Sequence, residues 1–316
     1  MILSNLLEKY AVQDPAIIDS LTRDHGILTA AEWIAASHNV THQSKKSTGL
    51  KSGSFIALDG SITPQKTDNT IVVTTLKVAA SLQEESNKIV DNYPAGKKAY
   101  MENNSAEFYE GLGNTIVDMV IYGNSDITGS PTGANAYNGL RKISDTNSMS
   151  QELSGATAKS TSIFAVRFHP KNAGILFSPE AFAKGQLIKV EPLADGKPTT
   201  VVTDTSTGAQ KVVYQNEYSS LSAFIAADTK YIAAITQIDD THAPTINHME
   251  TMLDSIKSDK NSFIFVSRRG RRFLKALKLT YITMTEMSNG IRVSVMDYNG
   301  TPVLIEESIS DVEAWT

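Results

Sequence analysis

The longest helical pattern in the chain covers residues 93–124, between Pro94 and the Gly123-Asn124 pair. Apolar side chains recur there at steps of three and four, a spacing that places them on one face of a helix. The residues on that face are Tyr109, Leu112, Ile116, Met119 and Val120. We expect this stretch, called here the spine helix, to pack its apolar face against the body of the protein.

Two features interrupt the spine-helix pattern. Asn104 and Glu107 stand at the spacing of a capping box, so the stretch is compatible with one helix or with two that join near residues 103–104. Gly111 and Gly113 each lower helix stability by about 1 kcal/mol relative to alanine. We expect these glycines where the helix bends or where another segment approaches it closely.

The first 36 residues contain short helical patches. The apolar groups are Leu6, Leu7 and Tyr10, then Ile17, Ile18 and Leu21. Thr29 and Glu32 have capping-box spacing and predict a helix that carries Trp33 and Ile34. Because isolated helices shorter than about 12–15 residues are marginal, we expect an arm that lies on other parts of the structure.

Residues 37–70 are rich in serine, threonine, lysine and glycine. The Asp59-Gly60 pair lies between Phe55 and Ala57 on one side and Ile62 on the other, which predicts the turn of a β-hairpin. The composition is also typical of a disordered linker. A hairpin that projects from the body and becomes ordered across a neighbouring chain fits both interpretations.

Strand patterns dominate residues 160–238, and helix patterns return after Pro244. Residues 219–239 are the most apolar segment and are expected at the centre of a sheet. The next helix is predicted to bury Met249, Met252, Leu253 and Ile256. A buried strand at 263–266, a helix at 267–278 and two strands around Asn299-Gly300 are predicted to follow.

Composition excludes several classes of function. The chain has a net charge of −5 and no cysteine, which excludes a disulfide scaffold, a thiolate metal site and a cysteine nucleophile. The acidic balance provides no overall attraction for nucleic acid. No segment has the pattern of a membrane span or a signal peptide, so we expect a protein that is assembled in a cytosol.

Motifs of catalysis and ligand binding do not occur in the sequence. A nucleophile elbow, a P-loop, a zincin motif and a dinucleotide-binding fingerprint are all lacking, so we expect no enzyme activity and no cofactor. The nearest approach to a metal cluster comprises Asp239, Asp240, His242, His248 and Glu250. Its two histidines lack the i, i+4 spacing of a helical zinc pair, so we interpret these residues as a polar junction between a loop and a helix.

Four arginines around Gly270 form the sharpest charge cluster: Arg268, Arg269, Arg271 and Arg272. A phosphate-binding patch needs several such cations, but arginine also forms bidentate pairs with carboxylates. The acidic residues of the C-terminal tail are candidate partners, within the chain or between chains: Glu306, Glu307, Asp311 and Glu313.

The order of several segments resembles the major capsid proteins of tailed bacteriophages, most closely the short-tailed group related to phage epsilon-fifteen. The matching segments are residues 42–65, 121–124, 138–141, 162–168, 231–239, 267–270 and 300–303. The resemblance implies an α+β chain with the Hong Kong 97-type capsid fold. Its expected parts are an N-terminal arm (1–40), an extended hairpin or E-loop (41–75), a peripheral domain with the spine helix and a β region (76–240), and an axial domain (241–316).

The resemblance also implies a function: a major capsid protein that forms hexamers and pentamers and encloses double-stranded phage DNA in an icosahedral shell. Expected partners are further copies of the chain, a portal protein, scaffold and decoration proteins, and the packaged DNA through non-specific contacts. An encapsulin-like compartment and a DNA-binding packaging accessory protein are the alternatives. Candidate inter-subunit residues are Lys45, Lys46, Asp59, Lys66, Arg268, Arg269, Arg271, Arg272, Glu306 and Glu307.

Overall fold

A computed structural model describes residues 25–47, 55–56, 60–62, 64–66, 69–126, 135–156, 159–184, 187–204, 209–277, 280–286 and 292–313. Its α-helices are α1 (Gly26–Ala30), α2 (Asn87–Asp91), α3 (Gly96–Asn103), α4 (Ala106–Tyr122), α5 (Leu140–Thr146), α6 (Pro179–Lys184), α7 (Ile246–Ile256) and α8 (Arg268–Ala276). Short 3-10 turns lie at Leu193–Gly196 and Thr229–Tyr231. The predicted apolar groups before residue 25 lie outside the described residues.

Fifteen strands form three sheets in the described part of the chain. The first eight are β1 (Trp33–Ala35), β2 (Thr41–Ser47), β3 (Asn69–Thr75), β4 (Lys77–Ser86), β5 (Ser150–Glu152), β6 (Thr161–Arg167), β7 (Ala173–Phe177) and β8 (Lys189–Pro192). The others are β9 (Thr199–Asp204), β10 (Ala209–Ala226), β11 (Ile232–Ile238), β12 (Ser262–Val266), β13 (Thr280–Glu286), β14 (Arg292–Tyr298) and β15 (Thr301–Ile305).

The first sheet is built around β10, which pairs with β4, β7, β8 and β9, all antiparallel. β1 extends this sheet by pairing in parallel with β7. The second sheet has the order β13-β14-β15-β12-β6-β11-β5. β2 and β3 pair only with each other in the third. The predicted domain boundary at residue 240 falls between β11 and β12, which both pair with β6 in the second sheet.

The spine stretch is two helices, which settles the alternative that the sequence left open. α3 ends at Asn103 and α4 begins at Ala106, with Ser105 as its N-cap residue. The predicted capping box does not form: Ser105 Oγ donates instead to the carbonyl oxygen of Glu102 at 2.7 Å. Helix α4 packs against β4 and β10 and buries Leu112, Ile116 and Val120, as the apolar spacing predicts.

Two predictions about local structure are wrong. Trp33 and Ile34 lie in strand β1 rather than in a helix, because this segment pairs with β7 at the edge of the first sheet. Residues 219–239 do not lie together at the centre of one sheet. They are divided between β10 and β11, which belong to different sheets and are joined through a short 3-10 turn.

The predictions after residue 240 are confirmed where the structure describes them. Helix α7 buries the four predicted residues on one face: Met249, Met252, Leu253 and Ile256. β12 is a buried strand, and α8 follows it directly. β14 and β15 pair around Asn299-Gly300.

Candidate assembly surfaces

The hairpin of β2 and β3 is the first candidate surface. Its strands pair from Thr41 with Thr75 to Ser47 with Asn69, which confirms a hairpin in this region. Lys45 and Lys66 are exposed, whereas the predicted turn residue Asp59 and the side chain of Lys46 lie outside what the structure describes. In the described part of the chain, neither strand of the hairpin pairs with a strand of the two larger sheets.

Exposed apolar side chains follow the hairpin into the body. Ile71 and Val73 of β3 are 65% and 55% exposed. Val78 and Leu82 are also exposed, and their spacing places both on one face of β4. The spine helix covers the opposite face of β4, so this side of the strand has no apolar cover among the described residues.

Two arginines of the predicted cluster form contacts within the chain. Arg268 Nε lies 2.6 Å from Glu307 Oε1, which is the predicted pairing with the C-terminal tail. Arg269 reaches Asp240 with its guanidinium at 3.2 Å and also donates to the carbonyl oxygens of Lys159 and Asp311. These two residues therefore connect the start of α8 to neighbouring loops.

Four cationic side chains of α8 line a concave surface. Arg268, Arg271, Arg272, Lys275 and Ile305 surround a volume of about 260 Å³. Arg272 and Lys275 are exposed, and Arg271 is half-buried. Four of these five lining side chains are cationic, so the surface favours an anionic ligand.

Glu306 does not lie on the surface, although the sequence suggested it as an inter-subunit residue. Its side chain is fully buried. One carboxylate oxygen lies 2.9 Å from His25 Nδ1, and the other accepts from the backbone N–H of Ile27 at 2.9 Å. His25 Nε2 lies 2.6 Å from Asn114 Oδ1 in α4. Glu306 therefore connects the C-terminal tail to α1 and the spine helix inside one chain.

Glu313 is likewise buried, where the sequence suggested an arginine partner. It accepts hydrogen bonds from the hydroxyls of Tyr122 and Ser162. Sequence reasoning missed this site because the four tail carboxylates look alike in the sequence. What separates Glu306 and Glu313 from Glu307 is the tertiary packing of the tail.

The histidines near residue 240 have structural partners. Asp239 accepts from the backbone N–H groups of Ala156 and His242, and these bonds hold the pKa of its carboxyl well below the ordinary value. His248 completes a capping box with Thr245 at the start of α7. Among the described residues, no cluster of histidine and acidic side chains has the arrangement of a metal site. Within the same part of the chain, no helix has the length and apolar character needed to cross a membrane.

Comparison with solved structures defines the class of protein. The capsid structure of bacteriophage epsilon15 matches with a TM-score of 0.59 at 18% identity, over 98% of this chain and 96% of that chain. The capsid of bacteriophage JBD30 matches with a TM-score of 0.52 at 10% identity, over 96% and 98% of the two chains. The fold is therefore the Hong Kong 97-type fold of phage capsids, as the sequence predicted.

Family comparison then identifies the chain more closely. The family model described as major capsid protein GP7 matches residues 11–315, and the chain belongs to this family. It is a major capsid protein of a tailed bacteriophage, a virion component that forms the icosahedral shell. No curated protein gives a significant sequence match.

Proposed function

We propose that this chain assembles into hexamers and pentamers, and that its β2–β3 hairpin lies across a neighbouring copy. The observation that carries this proposal is the hairpin itself. It is a two-stranded sheet with exposed Ile71 and Val73. A two-stranded hairpin alone is only marginally stable in water, and covering its apolar side chains against another copy would stabilise it.

The exposed strand β4 supports the same proposal. Val78 and Leu82 are exposed on a strand at the edge of the first sheet, and exposed apolar side chains at an open sheet edge are typical of a contact with another chain. Contacts of the hairpin and of the predicted arm with several neighbours add to a total interface well above the roughly 1,600 Å² of a standard interface. The contacting surfaces are different patches of identical chains, and such contacts form rings when the rotation between copies closes, here at five or six copies.

The two larger sheets suggest how the chain is divided. We assign the first sheet and the spine helix to the peripheral domain, and the second sheet to the axial domain. This assignment keeps the predicted E-loop (41–75) and moves the strands β5, β6 and β11 to the axial domain, because they pair with each other or with β12. Segment 25–36 lies in the core of the body, so any free arm would end before it.

Further partners complete the proposed role. We expect a portal protein at one vertex, scaffold and decoration proteins, and double-stranded DNA inside the shell. We also expect assembly in the host bacterial cytoplasm. These partners rest on the family membership and on the resemblance of the sequence to short-tailed phage capsid proteins.

Deletion of residues 45–68 tests the role of the hairpin. We expect the shortened chain to fold, because the described residues of the deleted segment make no strand pairs with the two larger sheets. We also expect it to form no closed shells by negative-stain imaging. Normal particles from the shortened chain would contradict the proposal.

A surface variant provides a finer test. Replacing Ile71 and Val73 together by serine should leave the fold intact and reduce the yield of closed shells. Val312→Ser is the matched control, because Val312 is 64% exposed and lies on the C-terminal tail, away from the hairpin. Equal shell yields from both variants would show that the apolar face of β3 has no part in assembly.

A further inference from the structure

Helix α8 carries a continuous cationic face. Arg268, Arg271, Arg272 and Lys275 occupy positions i, i+3, i+4 and i+7, which lie on one side of an α-helix. Their side chains line the concave surface next to Ile305. No acidic residue interrupts this face, here called the α8 stripe, within the helix itself.

The members of the α8 stripe differ in their partners. Arg268 is paired with Glu307. Arg271, Arg272 and Lys275 have no carboxylate partner in the described part of the chain, where the other ion pairs of lysine or arginine join different residues. Three positive charges of the stripe are therefore uncompensated among the described residues, in a chain whose net charge is −5.

The position of the stripe on the helix is electrostatically unfavourable. Arg271 and Arg272 follow Arg268 and Arg269 in the first turns, where the helix dipole favours negative rather than positive charge. Like charges at i, i+3 and i, i+4 also repel each other. Both effects are relieved when an anion lies against the stripe, and they give a physical reason to expect one.

We propose that the α8 stripe binds the phosphate backbone of nucleic acid, without sequence preference. This inference deepens the proposed function and rests on it, because it assigns the expected DNA contact to particular residues. A carboxylate-bearing surface of a second copy is the competing occupant. The lining favours phosphate, because the centre of a protein interface is apolar and depleted of charge, whereas Ile305 is the single apolar lining residue of the described surface.

The geometry suits a weak contact with a duplex. Seven residues of an α-helix span about 10 Å, and successive phosphates of one DNA strand lie about 3.4 Å apart along the duplex axis. The stripe can therefore face two or three phosphates of one strand. Such contacts position a duplex without reading its bases, as packing of DNA of any sequence would require.

The test compares the full chain, before assembly, with a triple variant in which Arg271, Arg272 and Lys275 are all replaced by glutamine. Arg268 is retained because it is paired with Glu307. Binding of a short duplex of mixed sequence is measured between about 50 and 200 mM salt. Losing three phosphate contacts should make the slope of log affinity against log salt less steep by up to about 2.7.

The matched control also removes three positive charges, through Lys98→Gln, Lys171→Gln and Lys260→Gln. These lysines are exposed and lie outside α8. We expect the control to keep most of the salt dependence, and both variants to form closed shells. Equal slopes for the two variants would overturn the proposal, because the effect would then be one of net charge.

The yield of shells separates this inference from the proposed function. If the triple variant loses closed shells and keeps its affinity for DNA, the stripe contacts a second copy and the proposal is overturned. If the hairpin deletion still forms shells but the triple variant loses DNA binding, the proposed role of the hairpin is contradicted. The proposal that the α8 stripe binds phosphate is then still supported.

Discussion

Tyr122, the last residue of the spine helix, donates a hydrogen bond to Glu313 Oε1 at 2.7 Å. Ser162 of β6 donates to the other carboxyl oxygen at 2.6 Å. The backbone N–H of Ser310 donates to the Tyr122 hydroxyl at 2.8 Å, and that of Glu313 donates to the carbonyl oxygen of Ser160 at 2.9 Å. One carboxyl group therefore connects the spine helix, the second sheet and the C-terminal tail.

This connection predicts a pH-dependent stability. Burial raises the pKa of the Glu313 carboxyl from 4.5 to about 7, although its hydrogen-bond donors act in the opposite direction. Between pH values of about 4.5 and 7, the Glu313 carboxyl is therefore protonated in the folded chain and ionised in the unfolded chain. The free energy of unfolding should therefore fall as pH rises from about 4.5 to 7, by up to about 3 kcal/mol. Urea unfolding of the unassembled subunit at several pH values measures this change.

The variant Glu313→Gln should remove most of that pH dependence. Glutamine has nearly the same shape and does not titrate, and both hydroxyl partners can accept as well as donate. Glu307→Gln is the control, because Glu307 lies in the same tail but is exposed. The explanation fails if Glu313→Gln and the unchanged chain lose equal stability over this pH range.

The neighbouring carboxylates Glu306 and Glu307 should lose very different amounts of stability on replacement by alanine. Glu306 is buried against His25 and the N–H of Ile27, so Glu306→Ala should cost about 3–5 kcal/mol of unfolding free energy. Glu307 pairs with Arg268 on the surface, so Glu307→Ala should cost about 0–1 kcal/mol. Denaturant titration of both variants measures the difference, and similar losses would refute the role given to Glu306.

Elements with a strong local pattern could be predicted from the sequence. The apolar face of α7 repeats at helical spacing and is buried at every predicted position. β12 is short, apolar and enclosed, and the Asn299-Gly300 pair marks a tight turn between two strands. In these segments the local preference and the tertiary packing agree, which is why the prediction succeeded.

Elements whose structure depends on contacts with distant parts of the chain could not be predicted from the sequence. Trp33 lies in a strand because residues 33–35 pair with 175–177, and its ring stacks on Phe177 with centroids 4.5 Å apart. β10 and β11 follow each other closely in the chain, but β10 pairs with β4 and β11 with β6. The sequence holds no local signal for those partners. The sequence also does not indicate which arginines of α8 have carboxylate partners, since the pairs of Arg268 and Arg269 depend on tertiary contacts.

Gly111 and Gly139 should respond in opposite directions to replacement by alanine. A Cβ atom at Gly111, within the spine helix, would meet nothing within 4 Å, so the close approach expected there does not occur in the described part of the chain. Gly111→Ala should therefore stabilise the subunit by about 0.5–1 kcal/mol through helix propensity.

A Cβ atom at Gly139 would instead lie 2.6 Å from the carbonyl oxygen of Val120 and 2.8 Å from that of Met119. Alanine can adopt the φ of −90° at this position, so the contact with the spine helix decides the outcome. Gly139→Ala should therefore lower the free energy of unfolding by about 1–3 kcal/mol. Thermal unfolding of both variants, followed by circular dichroism, should move the midpoint up for Gly111→Ala and down for Gly139→Ala. Shifts of the same sign would mean that the end of the spine helix does not pack against residue 139 as described, because only that contact makes the two glycines different.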